Sequence, residues 1–241
     1  MDFRRIRILI QREFQDIIWN GQIMIVLFSA LIMVSTVYIL NQFGFNVDQY
    51  EIVFFNAIPS VLGFISAFVV MYIQGNILVE EREHRTLKVL KLYKVSRAEL
   101  LVAKSTITLV IAMGLLIVAM IVFRYEFLHA VGGLLFSLPM LFMFLFLGTL
   151  IAEYSKNTIE VSLYGWPIII VYFMLEGIVN SNLDVNFIKA FPNFHVTQGF
   201  DYILRGEWAA ASLYIIVPVF WAVLFYLLLK KKWNASDQQN M

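Results

Sequence analysis

The chain has 241 residues, of which 61% are hydrophobic, 16% aromatic and only 15% charged, with a formal net charge of +1 and a mean hydropathy of +0.78. Soluble domains carry about 25% charged residues, so this composition excludes a soluble enzyme, a disordered chain and a nucleic-acid-binding basic domain. There is no cysteine, which removes disulfides, thiolate metal sites and cysteine nucleophiles.

The first segment, 1–21, places Phe3, Ile6, Ile10, Phe14 and Ile17 at three- and four-residue steps, with Arg4, Arg5, Gln11, Arg12 and Gln15 elsewhere on the wheel. That spacing predicts an amphipathic helix lying in a membrane interface. The first apolar run starts about twenty residues in and lacks the short apolar core and small-residue cleavage site of a signal peptide. Six apolar stretches follow, at 22–40, 52–77, 107–123, 130–152, 161–179 and 210–229. A helix needs about 20 apolar residues to cross a bilayer, so the fold class expected is an all-α polytopic membrane protein with six spans. The runs are continuously apolar rather than alternating, which excludes a transmembrane barrel. Pro59 lies inside the second run, where tilt or a kink is expected.

Lysine and arginine set the orientation. The segments at one face of this six-span arrangement hold 15 of the 18, and those at the other hold three. Both termini, the 78–106 loop and the 230–241 tail are therefore expected on the cytoplasmic side of the plasma membrane. The 78–106 loop opens on Glu80, Glu81 and Glu83 and continues with bases, so a short helix from about Glu81 to Leu92 would match the helix dipole. Ser96 and Glu99 form a capping-box pattern, with Val95 and Leu100 at the staple positions, and start a new helix that runs into the third span. Interleaved acids and a defined cap argue for a protein partner on this loop.

The outer segment, 180–209, is rich in aromatic residues. Asp184 and Thr197 can each cap a short helix there, one ending before Pro192 and the other at Gly206. Glu176 is the single acid inside a span. It is either a functional intramembrane carboxylate or a side chain reaching the nearby interface. Gln74 and Asn76 are further polar candidates for a path, and Phe191 and Phe194 are candidates for its outer gate. His195 has no ligand partners in the pattern, and no metal site is expected.

The run Glu-x-Glu-x-x-Thr-Leu, then Leu, then Val-Ser-Arg-x-Glu-Leu-Leu-x-x-Lys resembles the segment linking spans two and three in type-2 ABC exporter permeases. Glu81, Glu83, Thr86, Leu87, Leu90, Val95, Ser96, Arg97, Leu100 and Lys104 carry the match. The family's Gly before Thr is Arg85 here, and its Ser-Pro step is Tyr93-Lys94. The layout agrees along the whole chain: interface helix, six spans, and a long outer segment before the last. The resemblance implies a half-transporter in which Arg85–Leu92 is a coupling helix docking on a separate ATP-binding subunit. Glu81, Glu83, Arg85, Thr86, Leu87, Leu90 and Lys91 would make that contact. It also implies outer re-entrant helices, a second permease protomer, and ATP with magnesium on the partner rather than on this chain. None of the twelve glycines is followed by lysine, so the chain has no Gly-Lys-Ser/Thr phosphate loop.

A path lined by Phe and Met between two protomers would suit amphipathic cargo. Among small bacterial relatives the chain resembles exporters of amphipathic peptide toxins and lantibiotic-immunity permeases. Lipid-linked, polysaccharide or drug cargo is the alternative within the family. Outside it stand a membrane-embedded enzyme and a channel. The chain shows no HExxH, no GxSxG and no pair of intramembrane Asp residues, and no polar ring or filter-like stretch.

Overall fold

A computed structural model of the chain describes residues 3–42, 57–83, 95–181 and 185–239. Among these residues the secondary structure is helical throughout, with no strand. Six helices are long and apolar enough to cross a membrane: Gly21–Ile39, Ile58–Glu83, Ala98–Val122, Phe127–Tyr154, Thr158–Asn180 and Trp208–Asn234. The all-α polytopic architecture expected from hydropathy is the one observed.

Helix α1 (Phe3–Trp19) precedes the first span. It ends at Asn20, whose side-chain Oδ1 accepts the backbone N–H groups of Gln22 and Ile23 at 3.1 and 3.2 Å and so caps α2 (Gly21–Gln42). One buried stripe of α1 comprises Ile6, Leu9, Glu13 and Ile17, while Phe14 stays 55% exposed. The apolar face is thus rotated from the one read off the sequence, and the cause is Glu13, which turns inward to meet a cation on span three.

Span two is the most enclosed of the six. It is built from α3 (Ala57–Phe64), a π-helical segment at Ile65–Val70 and α4 (Met71–Glu83). Pro59 sits in the first turn of α3, where its missing N–H interrupts nothing. The irregularity expected at Pro59 lies instead in the π segment, where the Met71 N–H bonds the Ser66 carbonyl five residues back. The helix also continues past Ile77 to Glu83. Glu81 and Glu83 therefore end span two rather than beginning a separate helix. They stand at its negative pole, so their charges must be met from other elements. Residues 84–94 lie outside the described residues, and with them the proposed coupling positions Arg85, Thr86, Leu87, Leu90 and Lys91.

Span three, α5 (Arg97–Val122), starts with the expected capping box: Ser96 Oγ accepts the Glu99 N–H at 3.1 Å, and Glu99 Oε2 accepts the Ser96 N–H at 2.9 Å. It ends with Arg124 at φ 57°, while the Tyr125 and Arg124 N–H groups close on the Met120 and Ile121 carbonyls. This is a Schellman turn with a non-glycine in the left-handed position. Span four, α6 (Phe127–Tyr154), packs against α4 closely enough that a Cβ on Gly148 would strike the Met71 backbone. Span five is α7 (Thr158–Asn180), capped by Asn157 Oδ1 on the Glu160 N–H at 2.9 Å.

The segment before the last span forms a 3-10 turn at Asn186–Ala190 and α8 (Pro192–Leu204). Proline opens α8 at its first turn, where its fixed φ suits a helix start. Thr197 is consequently a buried interior residue of α8 and not its cap. Gly206, at φ 75°, ends α8 in a second Schellman turn. Asp184 lies outside the described residues. The last span combines α9 (Trp208–Tyr214) with α10 (Ile216–Gln239), and α10 runs along α6.

Candidate functional site: a junction at the end of span two

Four consecutive side chains at the end of α4 reach different elements. Asn20, at the α1–α2 corner, donates from Nδ2 to Glu80 Oε1 at 3.2 Å. Glu81 Oε1 lies 3.3 Å from Lys104 Nζ on α5 and 3.4 Å from Arg12 Nη2 on α1. Arg82 donates to the Ala152 carbonyl at 2.9 Å and pairs with Glu153 at 3.0 Å, both at the end of α6. Glu83 accepts the Thr158 N–H, the first of α7, at 3.2 Å. The helical pitch of about 100° per residue explains the fan, since four successive side chains point around the full circumference. The tail joins as well, through Trp233 Nε1 on Glu153 at 3.2 Å.

Within this junction lies a buried ion-pair triad. Lys104 Nζ sits 2.7 Å from Glu13 Oε2, and the side chains of Lys104, Glu13 and Glu81 are 3%, 4% and 6% exposed. A charge so enclosed requires close partners, and each acid here has the same ammonium. Burial pushes the Glu13 carboxyl up from the ordinary carboxylate range, and the adjacent Lys104 ammonium opposes that rise. Sequence reasoning missed Glu13. Its signal was present: seven residues after Ile6 and four before Ile17, it falls on the buried stripe of α1, and Lys104 lies on the helix that stripe packs against.

Halfway along span two, Gln74 stitches three helices. Its Nε2 donates to Ser105 and to Thr149 at 3.2 Å each, and its Oε1 accepts from Thr108 at 2.9 Å. Gln74 is fully enclosed. Asn76 is buried too, donating to the Tyr72 carbonyl at 2.9 Å, while its Oδ1 has no partner.

At the opposite end of the bundle Glu176 is 5% exposed. It points inward rather than reaching for an interface. Asn193 Nδ2 of α8 donates to it at 2.9 Å, Tyr172 at 3.4 Å and Ser60 of span two at 3.5 Å. One carboxylate therefore ties α8 to spans two and five with neutral donors. Phe191 stacks on Trp221 of the last span at 5.8 Å, and Trp221 Nε1 bonds the Ala190 carbonyl at 2.9 Å. Phe194 meets His195 edge-on, and His195 Nε2 contacts the Lys189 carbonyl at 2.8 Å. The described residues hold no group of three His, Asp or Glu placed to bind a metal.

The structure thus separates the residues singled out from the sequence into three levels along span two. Glu81 and Glu83 meet at one end, Gln74 and Asn76 lie between, and Glu176, Phe191 and Phe194 gather at the other. No curated protein matches the chain. The family model described as ABC-2 family transporter protein matches residues 41–230, from the loop after the first span through the last. With six membrane-crossing helices and that match over most of its length, the chain belongs to the ABC-2 transporter family, as a membrane subunit of an ABC transporter.

Proposed function

We propose that this chain is half of the membrane part of an ATP-driven exporter. Two protomers enclose a path, each docked through Arg85–Leu92 on a separate ATP-binding subunit in the cytoplasm, and the cargo is an amphipathic peptide moved by alternating access. On this reading the termini and the junction face the cytoplasm, where the excess of Lys and Arg belongs.

The observation that carries the reading is the fan of Glu80–Glu83. The proposed coupling part of the loop, Arg85–Leu92, follows these residues in the sequence. A push on that loop acts on a helix end bonded to the interface helix and to spans three, four and five. The load then spreads through side chains held at 2.7–3.4 Å rather than through one flexible link. Glu176 holds α8 against spans two and five at the exit end, which suits a closed outer gate. The six spans are continuously apolar, and a strongly hydrated chain would need many polar partners through the bilayer. That favours amphipathic cargo over a polysaccharide.

Co-purification with an ATP-binding subunit, followed by hydrolysis measured with and without an amphipathic helical peptide, tests this. Peptide should raise the rate in the wild-type complex. Glu83→Lys, which replaces an acceptor with a repelling donor at the Thr158 N–H, should leave the complex assembled and abolish the rise. An unchanged rise in that variant removes the junction from coupling. A rise with a soluble sugar polymer alone replaces the peptide reading while keeping the exporter.

A further inference from the structure

Span two changes its winding partway along. Residues Ile65–Val70 are π-helical, between α3 and α4, and the Met71 N–H bonds the Ser66 carbonyl. A π segment of this kind sets one extra residue into an α-helix and often marks a functional position. The segment reads Ile-Ser-Ala-Phe-Val-Val, without glycine or proline, so no residue in it forces the irregular winding. Other spans press on it from both sides. Just before it, the Tyr172 hydroxyl of α7 occupies the place of a Cβ on Gly63. Just after it, the Met71 carbonyl fills the space that Gly148 of α6 leaves open. The two sides also answer to different partners. Ser60 on α3 donates to Glu176 at 3.5 Å, so α3 belongs to the end where α8 is held. Gln74 on α4 is fixed by Ser105, Thr108 and Thr149, and the end of α4 is fixed by the junction. α3 has only 8 residues, and apart from Ser60 they are apolar or glycine. Turning α3 about its axis therefore exchanges apolar contacts for apolar contacts, and the polar bond it gives up is the one to Glu176.

A second observation is independent of the packing. Ser66 is fully enclosed, and its Oγ has no hydrogen-bond partner. Buried hydroxyls inside spans three and four behave otherwise: Thr108, Ser137 and Thr149 donate to carbonyls three or four residues back, at 2.7–3.1 Å. That back-bond is how a hydroxyl on an α-helix is satisfied in apolar surroundings. With α winding through the segment, Ser66 has the Leu62 carbonyl in the same relation. The π winding thus leaves unpaired a buried group that the α winding pairs, which brings the two windings closer in free energy.

We infer that the π segment of span two is a switch between π and α winding that carries movement at the junction to the Glu176 end. Conversion to α returns one residue to the helix, which turns α3 by about 100° and shifts it by about 1.5 Å along the axis relative to α4. Ser60 then leaves Glu176 and Gly63 leaves Tyr172, so α8 loses its tie to span two through that carboxylate. The α winding is the longer one. A displacement that draws the junction end away from the Glu176 end favours it, and the return movement restores the π winding. The inference rests on the export reading and adds the element that links its two ends.

The test uses the full-length chain in complex with its ATP-binding subunit in nanodiscs. The chain has no native cysteine, so Ser60→Cys with Glu176→Cys reports on one side of the segment and Gln74→Cys with Thr149→Cys on the other. A short bis-thiosulfonate reagent should bridge both pairs without nucleotide. With ATP and vanadate, bridging of the first pair should fall at least about fivefold, the scale of one buried hydroxyl gaining a partner, while the second pair keeps its bridge. Deletion of Ala67 is the decisive variant. It removes the extra residue, so plain α winding through the segment holds both halves in the registers they have now. The deleted chain should fold with the wild-type unfolding midpoint, whereas deletion of Ile73 from α4 should lower it. It should also keep the first bridge with nucleotide and lose peptide-stimulated hydrolysis. Ser66→Ala, which takes away the back-bond of the α winding, should keep the fold and preserve the first bridge in the same way. The inference is overturned by wild-type bridging that nucleotide leaves unchanged, by loss of both bridges together, by an Ala67 deletion that does not fold, or by Ser66→Ala with wild-type bridging. Peptide-stimulated hydrolysis that survives the Ala67 deletion overturns the switch and leaves the export reading standing. Bridging that responds as inferred in a complex that no peptide stimulates supports the switch and removes peptide export.

Discussion

Lys104→Met is the most informative single change in the protein. The ammonium lies 2.7 Å from Glu13 Oε2 and 3.3 Å from Glu81 Oε1, which at an effective dielectric of about 20 corresponds to roughly 6 and 5 kcal/mol of gross attraction. Most of that offsets the desolvation of three charges, so the net quantity is the cost of leaving Glu13 buried without its cation and Glu81 with Arg12 alone, about 3–5 kcal/mol. Solvent screening reduces this little, because all three side chains are enclosed. Methionine fills a similar volume, so the loss is electrostatic rather than a cavity. Stability is read from reversible unfolding in mixed micelles, and docking of α1 from protease susceptibility after Trp19. We expect α1 to be released first, because its buried stripe is interrupted by Glu13. Glu13→Gln added to Lys104→Met should return about half of the loss, a coupling that a double-mutant cycle measures directly. A loss under about 1 kcal/mol in Lys104→Met, or additive effects in the double variant, would refute the triad as the clamp.

Four further outcomes follow from other contacts. Glu13 holds its proton more tightly in the fold than in the unfolded chain. Its contribution is therefore full at acid pH and is lost as pH rises through the raised value, and Glu13→Gln should flatten that part of the stability profile. Ser96→Ala removes one member of the capping box and should cost about 1 kcal/mol, read as a lower unfolding midpoint. Gly148→Val places a branched side chain against the Met71 backbone and should cost about 1–3 kcal/mol through forced separation of spans two and four, seen as lower yield of folded protein. Arg124→Gly relieves a left-handed non-glycine residue and should raise stability by up to about 1 kcal/mol, whereas Arg124→Val should lower it.

The spans and the capping box were legible because each depends on residues close in sequence. Twenty consecutive apolar residues, or Ser96 with Glu99, need no knowledge of what lies opposite. The partners of polar residues inside spans were not legible, since Gln74 meets Thr108 and Thr149 only once three helices are packed. Glu176 shows the same limit. Its distance from the end of the span allowed it to reach an interface, and only the folded position of Asn193, 17 residues later, turns it inward. The start of α8 was misplaced for a local reason. Thr197 is a good capping residue, but Pro192 starts a helix through its own ring and needs no side-chain cap.

The acids at the end of α4 carry one more consequence. A carboxylate in the last turn of a helix opposes the macrodipole by about 0.3–1 kcal/mol, and α4 places Glu80, Glu81 and Glu83 there. An isolated span two would fray at that end. The junction reverses the sign, because Asn20, Lys104, Arg12 and the Thr158 N–H all supply donors from other elements. Order in the last turn of span two is thus conditional on α1 and on spans three and five being in place. The three acids are an unfavourable local choice that the described contacts from other elements offset, so a displacement of those elements acts directly on the end of span two. A helix end of that kind suits the point where a membrane protein takes up a displacement from outside the bilayer. A neutral, self-capped end would hold its shape whether or not its neighbours moved.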